Sequence, residues 1–401
     1  MKKIILLSLL LLSTGAIQAQ DVIQWRGDRT GIYKETGLLK SWAADGPQML
    51  WHYDGLGEGH SSVAISADKI YLTGMTEGRG YIYAFDLNGK LLSKKEYGGE
   101  WDESFNGTRG TITANEGKLY LISGRGDIIC FDESNLNVVW KKNIMTDFDS
   151  ENIRWGICES PLIVGEKLIV TPGGKVHNIV ALNKNTGALV WSCPGEGDLS
   201  AYCSPLYVGD QQVPLVVTMT AKHIVGVDAN TGKKLWSYEQ INRTDVHPNI
   251  PVYSDNMLLC TSGYGKGSVM LRLTNGGNSV EKVWNSPQLD SRIGAMVKVD
   301  DYAYGSGDAN RFWFCVDWNT GELKYKENAL PIGNVITADG MLYCYSDRGD
   351  FALVKVTPEK FDIVSRFPVT LGTDQHWAHP VIYKGVLYVR HGNTLMAYKI
   401  S

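Results

Sequence analysis

The sequence predicts an all-β protein: an eight-bladed β-propeller of four-stranded blades, its ring closed by an N-terminal strand. Three observations predict it. First, a phrase recurs down the chain, reading strand, tight turn, strand, tight turn, strand, Trp; residues 215–236, LVVTMTAKHIVGVDANTGKKLW, show it most completely. Eroded copies stand at 120–140, 168–191, 258–284, 303–325 and 342–356. Second, the phrase endings Trp51, Leu92, Trp140, Trp191, Trp236, Trp284 and Tyr325 lie, by subtraction, 41, 48, 51, 45, 48 and 41 residues apart. That is the period of a propeller blade. Third, the C-terminal GVLYVRHGNTLMAYKI supplies two strands and stops, while QMLWHYDG (48–55) supplies the outer strand it lacks. Closing a ring this way removes exposed sheet edges.

Each element has a local reason. The innermost strand follows a Ser-Pro or similar opening (ESPLIVG, CSPLYVG, HPVIYKG), and the second follows a turn (GEKLIV, DNMLLC, DGMLYC, KGVLYV). The third ends in Asp or a substitute (IICFD, IVGVD, WFCVD), and a DxxTG turn delivers the fourth. Asp bonds forward to its own turn backbone, and Gly supplies the φ > 0 residue of a tight hairpin. Trp at the outer edge buries a large ring between blades. A helical repeat of this length would show a 3.6-residue period, whereas these segments alternate. Seven blades is the alternative count, because FDLNGKLLS carries no Trp and the eighth ending, near Ile363–Phe367, is weak.

Composition narrows the function. Forty-four glycines and 10% aromatic residues suit many short strands joined by tight turns. A formal charge of −4 without a basic run argues against nucleic-acid binding. The N-terminus, MKKIILLSLLLLSTGAIQAQ, has two Lys before an apolar stretch from Ile4 to Leu12 and reads as a signal peptide (1–19) cut after Ala19. Residues 20–401 then form one propeller domain, periplasmic or secreted, without a membrane span or a lipid-attachment Cys. Cys130, Cys260, Cys315 and Cys344 sit in strand-like runs as small hydrophobes; Cys158, Cys193 and Cys203 fall in loop-like segments where one disulfide is open. Rossmann, P-loop and GxSxG motifs are absent, and GYGKGS (263–268) reads as a turn.

VDANTGKKLW, ALNKNTGALVW and VDWNTGELKY resemble the tryptophan-docking repeat of quinoprotein dehydrogenases, and WRGDRTGIYKETGLLKSWAADGPQMLWHY resembles the lead-in of secreted PQQ-like repeat proteins. The resemblance spans the mature chain and implies two branches. One binds PQQ and Ca²⁺ at the ring centre, often beneath a ring of adjacent cysteines; this chain has no adjacent Cys pair. The other comprises non-catalytic scaffold propellers typified by the β-barrel assembly lipoprotein of the BamB type. Fold alone does not choose between them.

Residues just before each innermost strand are expected at one channel mouth. They are His60, Arg109, Arg154, Trp155, Glu159, Tyr202, His247, Asn249, Arg292, Asn334, His376, Trp377 and His379. Arg, His and aromatic side chains at one mouth suit a small polar or anionic ligand, carbohydrate included. The competing reading is structural: inward Arg–Glu pairs tie blades together, Trp155 and Trp377 pack, and His247 is a hydrogen-bonded loop residue. His376 and His379, three apart on extended chain, face opposite ways, so no metal site is expected. Three functions follow in order: an exported scaffold that binds a ligand or another exported protein, a PQQ/Ca²⁺-dependent alcohol or sugar dehydrogenase, and a lyase or hydrolase acting on acidic polysaccharides.

Overall fold

Runs such as Leu215–Met219 and His223–Asp228 are β-branched and buried on both faces, so each is a strand clasped between neighbouring sheets rather than half of a surface hairpin. A computed structural model describes residues 21–401; the signal-peptide reading of 1–19 lies outside these. Eight antiparallel sheets span residues 64–99, 113–143, 162–193, 206–239, 252–286, 297–327, 333–368 and 381–399, and we number these blades 1 to 8. The chain forms an eight-bladed propeller, not a seven-bladed one. The eighth sheet takes Met49–Tyr53 as its outer strand, with Trp51 opposite Ala397.

The recurring Trp residues have a common geometry. Each indole Nε1 donates to a carbonyl in the third-to-fourth strand turn of the following blade: Trp140 to Lys184 (2.9 Å), Trp191 to Ala229 (3.2 Å), Trp236 to Gly277 (3.1 Å) and Trp284 to Trp318 (3.0 Å). Trp51 of blade 8 donates to Leu87 of blade 1 (3.0 Å), so the closing junction is built like the others. The ring also lies on the turn glycine. A Cβ at Gly89, Gly187, Gly232 or Gly321 would come 2.5, 2.8, 2.6 or 2.7 Å from the Trp of the preceding blade. The same glycines have φ near +75°, which the hairpin requires.

Blade 1 breaks the pattern, and blade 2 compensates. The position opposite Ala84, which Trp191 occupies opposite Ala181 in blade 3, is Ser93 rather than the expected ending Leu92. With no indole to seat, the blade 2 turn has Leu136 where its counterparts have Gly, buried and at φ 58°. Blade 6 ends in Tyr325, which packs on Phe361 of blade 7 with ring centroids 6.3 Å apart. Ile32–Tyr33, unread as a strand in the sequence, pairs in parallel with Gly333–Ala338 and gives blade 7 a fifth strand on the channel side.

Among the described residues helix is nearly absent: Ile144–Phe148 forms one turn, capped by Asn143, whose Oδ1 accepts from Met145 N at 2.9 Å. Among the described residues no helix is long and apolar enough to cross a membrane. All seven cysteines are free thiols. Cys193 belongs to the outer strand Leu189–Cys193, not to a loop; its alternation there turns the thiol into the buried seam between blades.

Two alanine substitutions separate the indole contact from backbone strain. Gly232 and Gly340 have nearly equal φ, +74° and +72°, but only Gly232 faces an indole; Gly340 has nothing within 4 Å. Gly340→Ala is expected to cost about 1 kcal/mol for the left-handed backbone. Gly232→Ala should cost a further 1–3 kcal/mol, roughly, as the Trp191 seat is overpacked. Urea unfolding midpoints of the two variants measure the difference.

Candidate functional site

The chain enters every blade at its innermost strand from the same end of the ring, so the residues before those strands converge. His60 precedes Ala64–Ser66, Arg109 precedes Thr113–Asn115, Tyr202 precedes Leu206–Val208, and Asn249 precedes Val252–Ser254. Arg292 precedes Val297–Val299, while Trp377 and His379 precede Val381–Tyr383. Together with Trp155 these side chains line one cavity of about 280 Å³. That is near the lower end of small-molecule sites, roughly 300–1,000 Å³.

Five of the expected residues are placed otherwise. Arg154 is exposed beside the cavity, its guanidinium 4.7 Å from the Trp155 ring. Glu159, His247 and His376 lie outside the lining, and period-two alternation is the reason. Cys158 and Ser160 line the cavity but Glu159 does not; Val246 and Pro248 do but His247 does not; Trp377 and His379 do but His376 does not. Glu159 is fully buried and accepts from Thr171 N with both oxygens, at 3.1 and 3.0 Å. His247 is buried between Ser262 Oγ (2.7 Å) and the Ala221 carbonyl (3.1 Å), so Nε2–H donates and Nδ1 accepts. His376 stacks on His391 at 3.6 Å and bonds the Tyr345 hydroxyl. Asn334 is buried and donates to the carbonyls of Trp377 (2.8 Å) and Ala378 (3.1 Å), which fixes the loop that carries Trp377.

The walls are aromatic. Trp377 lies 5.1 Å from the His60 ring and 5.2 Å from Phe105, and Trp155 lies 6.2 Å from Tyr202. Trp25 meets His379 edge-on at 5.0 Å, and Tyr264 adds a phenol near Arg292. Sequence reasoning missed Trp25, Phe105 and Tyr264, which lie on a lead-in, a loop and a turn of no recurring pattern.

It also missed what carries Trp25. Arg26 and Arg29 follow it in WRGDRTG, both buried. Arg29 donates to the carbonyls of Pro161 (2.6 Å), Ser160 (3.2 Å) and Pro205 (3.0 Å), on blades 3 and 4. Arg26 donates to Met296 O (3.0 Å) and Val335 O (2.9 Å), on blades 6 and 7. Two guanidiniums three residues apart therefore bond opposite sides of the ring. The chain on either side continues the strap: Ile65 N donates to Val22 O, Ala114 N to Ile23 O, and Leu39 N to Ile400 O. The available signal was the spacing of two Arg among glycines, which in a propeller lead-in has nowhere to place its charges except the channel.

Ionisable groups on the lining are displaced from neutrality. Burial, with Arg109 and Arg390 nearby, pushes His60 down to about 3. Burial and Arg26 hold His379 well below the usual imidazole range; its Nδ1 accepts from Arg26 Nη1 at 3.0 Å. Burial pushes Cys158 up to about 12 and raises Tyr202 as well. The lining contains two arginines and no Asp or Glu. Calcium takes six to eight oxygen ligands, roughly, carboxylates prominent among them, so this donor set does not fit the Ca²⁺ that accompanies PQQ. Among the described residues no cluster of three His, Cys, Asp or Glu is placed to hold a metal.

Glu159 gives a pH test. Burial raises its carboxyl to about 8, offset in part by the Thr171 N–H and Arg29. The folded state therefore holds this proton more tightly than the unfolded chain. Its stabilising contribution is full below the ordinary Glu range, near 4.5, and is lost as pH rises toward 8. Urea midpoints measured from pH 4.5 to 8.5 should show a decline in the parent that Glu159→Gln removes.

The chain is similar to known propellers. The sequence profile described as "Outer membrane protein assembly factor BamB" matches residues 78–198 and 137–357. The protein of that name from Shewanella oneidensis is 25% identical over 284 residues, covering 69% of this chain and 66% of the relative, just under two thirds of its length. Among solved structures, BamB from Moraxella catarrhalis superposes with a TM-score of 0.66 at 16% identity, covering 88% of this chain and all of that one. Quinohemoprotein alcohol dehydrogenase from Comamonas testosteroni superposes with a TM-score of 0.67 at 13% identity, covering 94% of this chain and 80% of that one. At such identities the superpositions show a common fold and nothing more.

Proposed function

The chain belongs to the BamB family of PQQ-like propellers, and from that premise we propose that it is an exported, non-catalytic binding propeller whose channel mouth holds a small polar or anionic ligand. One observation carries the reading: an aromatic, arginine-bearing cavity whose ionisable groups are displaced from neutral pH. General acid–base catalysis wants a group that titrates near the working pH. His60 stays neutral, Cys158 stays a thiol, and no carboxylate lines the cavity; rigid, neutral, aromatic surfaces serve binding instead. This weighs against a lyase or hydrolase, which needs a proton carrier at the substrate. The relative named as an assembly factor makes the ring's outer surface a scaffold for another exported protein under the same reading.

The test is a thermal-shift screen of small polar and anionic compounds on the full-length protein and on Trp377→Ala. The expected result is a ligand-dependent rise in Tm of the parent that Trp377→Ala removes. Dye-linked oxidation of alcohols or sugars after loading with PQQ and Ca²⁺ would instead make the protein a dehydrogenase. Export is checked separately, by fractionation and by mass spectrometry of the mature N-terminus, expected to begin at Gln20.

A further inference from the structure

The mouth cavity is uneven in charge. Arg292 has a partner, its Nε 3.1 Å from Asp308 Oδ1. Arg109 has no carboxylate within ion-pair distance among the described residues. Its Nη2 donates to the carbonyls of Ser104 (2.9 Å) and Phe105 (2.7 Å), which fixes the guanidinium, while its buried Nε has no partner. Beside it, both ring nitrogens of His60 are buried without a hydrogen bond of good geometry among the described residues, the Phe105 backbone lying close by. Buried polar groups are almost always hydrogen-bonded. A fixed cation with an orphaned N–H, next to an orphaned neutral imidazole, is a place for an oxyanion from outside the chain.

The rest of the cavity restricts what carries that oxyanion. Trp377 packs against His60 and Phe105 on one wall, and Trp155 against Tyr202 on the other. Between them the lining offers an amide at Asn249 and a phenol at Tyr264. The Asn249 amide nitrogen is taken by the Ser291 carbonyl (2.6 Å), which leaves its Oδ1 as an acceptor. A pyranose matches this combination, with a face of C–H groups for an indole and a rim of hydroxyls for acceptors and donors. The volume of about 280 Å³ suits a single ring.

We infer that the cavity binds a ring sugar bearing one carboxylate, a uronic acid, with the carboxylate at Arg109 and His60 and the sugar face on Trp377. This rests on the mouth being a ligand site, as proposed above. The ligand is either a free uronate or the terminal unit of an acidic oligosaccharide.

Calorimetric titration of the full-length protein at low salt tests it, with galacturonate, glucuronate, digalacturonate, galactose, glucose and benzoate as probes. At least one uronate should bind about tenfold or more tightly than its neutral sugar, with an affinity that falls as salt is added. Digalacturonate binding as well as or better than the monomer assigns an oligosaccharide end; monomer alone assigns a free uronate. Arg109→Gln should weaken uronate binding about tenfold or more, Arg109→Lys less, and Arg292→Gln by less than about threefold, because Asp308 already neutralises it. Melting temperatures of the three variants identify any that fails to fold, and Arg109→Lys keeps the test valid if Arg109→Gln does. Equal binding of uronates and neutral sugars overturns the inference, as does benzoate matching the uronates, unchanged binding in Arg109→Gln, or no uronate binding at millimolar concentration. If the uronates fail while another compound gives a shift that Trp377→Ala removes, the ligand site stands and only its assignment to uronates falls; if nothing binds, both fall.

Discussion

An indole lying on a glycine is the contact on which the rest of this molecule depends. A four-stranded blade buries its inner faces against two neighbours and has no stable existence alone. The junction between blades therefore sets twist, spacing and number. At five junctions a Trp Nε1 bonds a turn carbonyl of the next blade, and at four of them the ring lies on the turn glycine. Where Trp is lost, at Ser93, the matching Gly is lost too, and Leu136 fills the volume from the other side of the seam. The two substitutions make sense only as a pair, because a glycine without an indole would leave a void and an indole without a glycine would clash.

The N-terminal strap closes the ring from within. Arg26 and Arg29 are buried charges, normally costly, and their solution is to donate to carbonyls at the ends of the innermost strands. Those carbonyls point into the channel where no sheet partner can reach them, so guanidinium and backbone satisfy each other. Burial lowers Arg26 to about 10, which still leaves it charged at neutral pH. The same bonds place Trp25 against His379 in the mouth, so the strap that ties blades together also helps to form the cavity.

Most of the fold was legible in the sequence because repetition multiplies a weak local signal. A single DxxTG turn is an ordinary hairpin; six copies of the whole strand–turn phrase spaced alike, with Trp51 supplying the missing outer strand, leave few architectures. The mouth residues were legible by position, since the chain enters each blade at the same end. What position alone did not give was side. In ESP, VHP and QHWAH, neighbouring residues alternate between cavity and seam, and the charged or imidazole member of each segment drew attention while its neighbour faced the cavity. Glu159, His247 and His376 fall on the seam side, where Thr171, Ser262 and Tyr345 satisfy them. Trp25 and its two arginines repeat nothing, and a segment that occurs once has no internal comparison to reveal it.

This division between repeated and unrepeated residues explains how one scaffold accommodates unrelated chemistry. The junction contacts lie at the rim of the ring, far from the axis, and tolerate any side chain at the mouth that keeps the entry to the innermost strand. A quinone enzyme built on such a ring needs carboxylates around its metal. Here the axial end carries Arg109 and Arg292 with no carboxylate on the lining, and Glu159, buried between two lining residues, has both oxygens committed to Thr171. Restoring a metal centre would require reversing the charge of the lining, not one substitution. The same reversal is what suits the mouth to an anion, because an unpaired guanidinium held by two carbonyls attracts an external carboxylate with no internal one to displace.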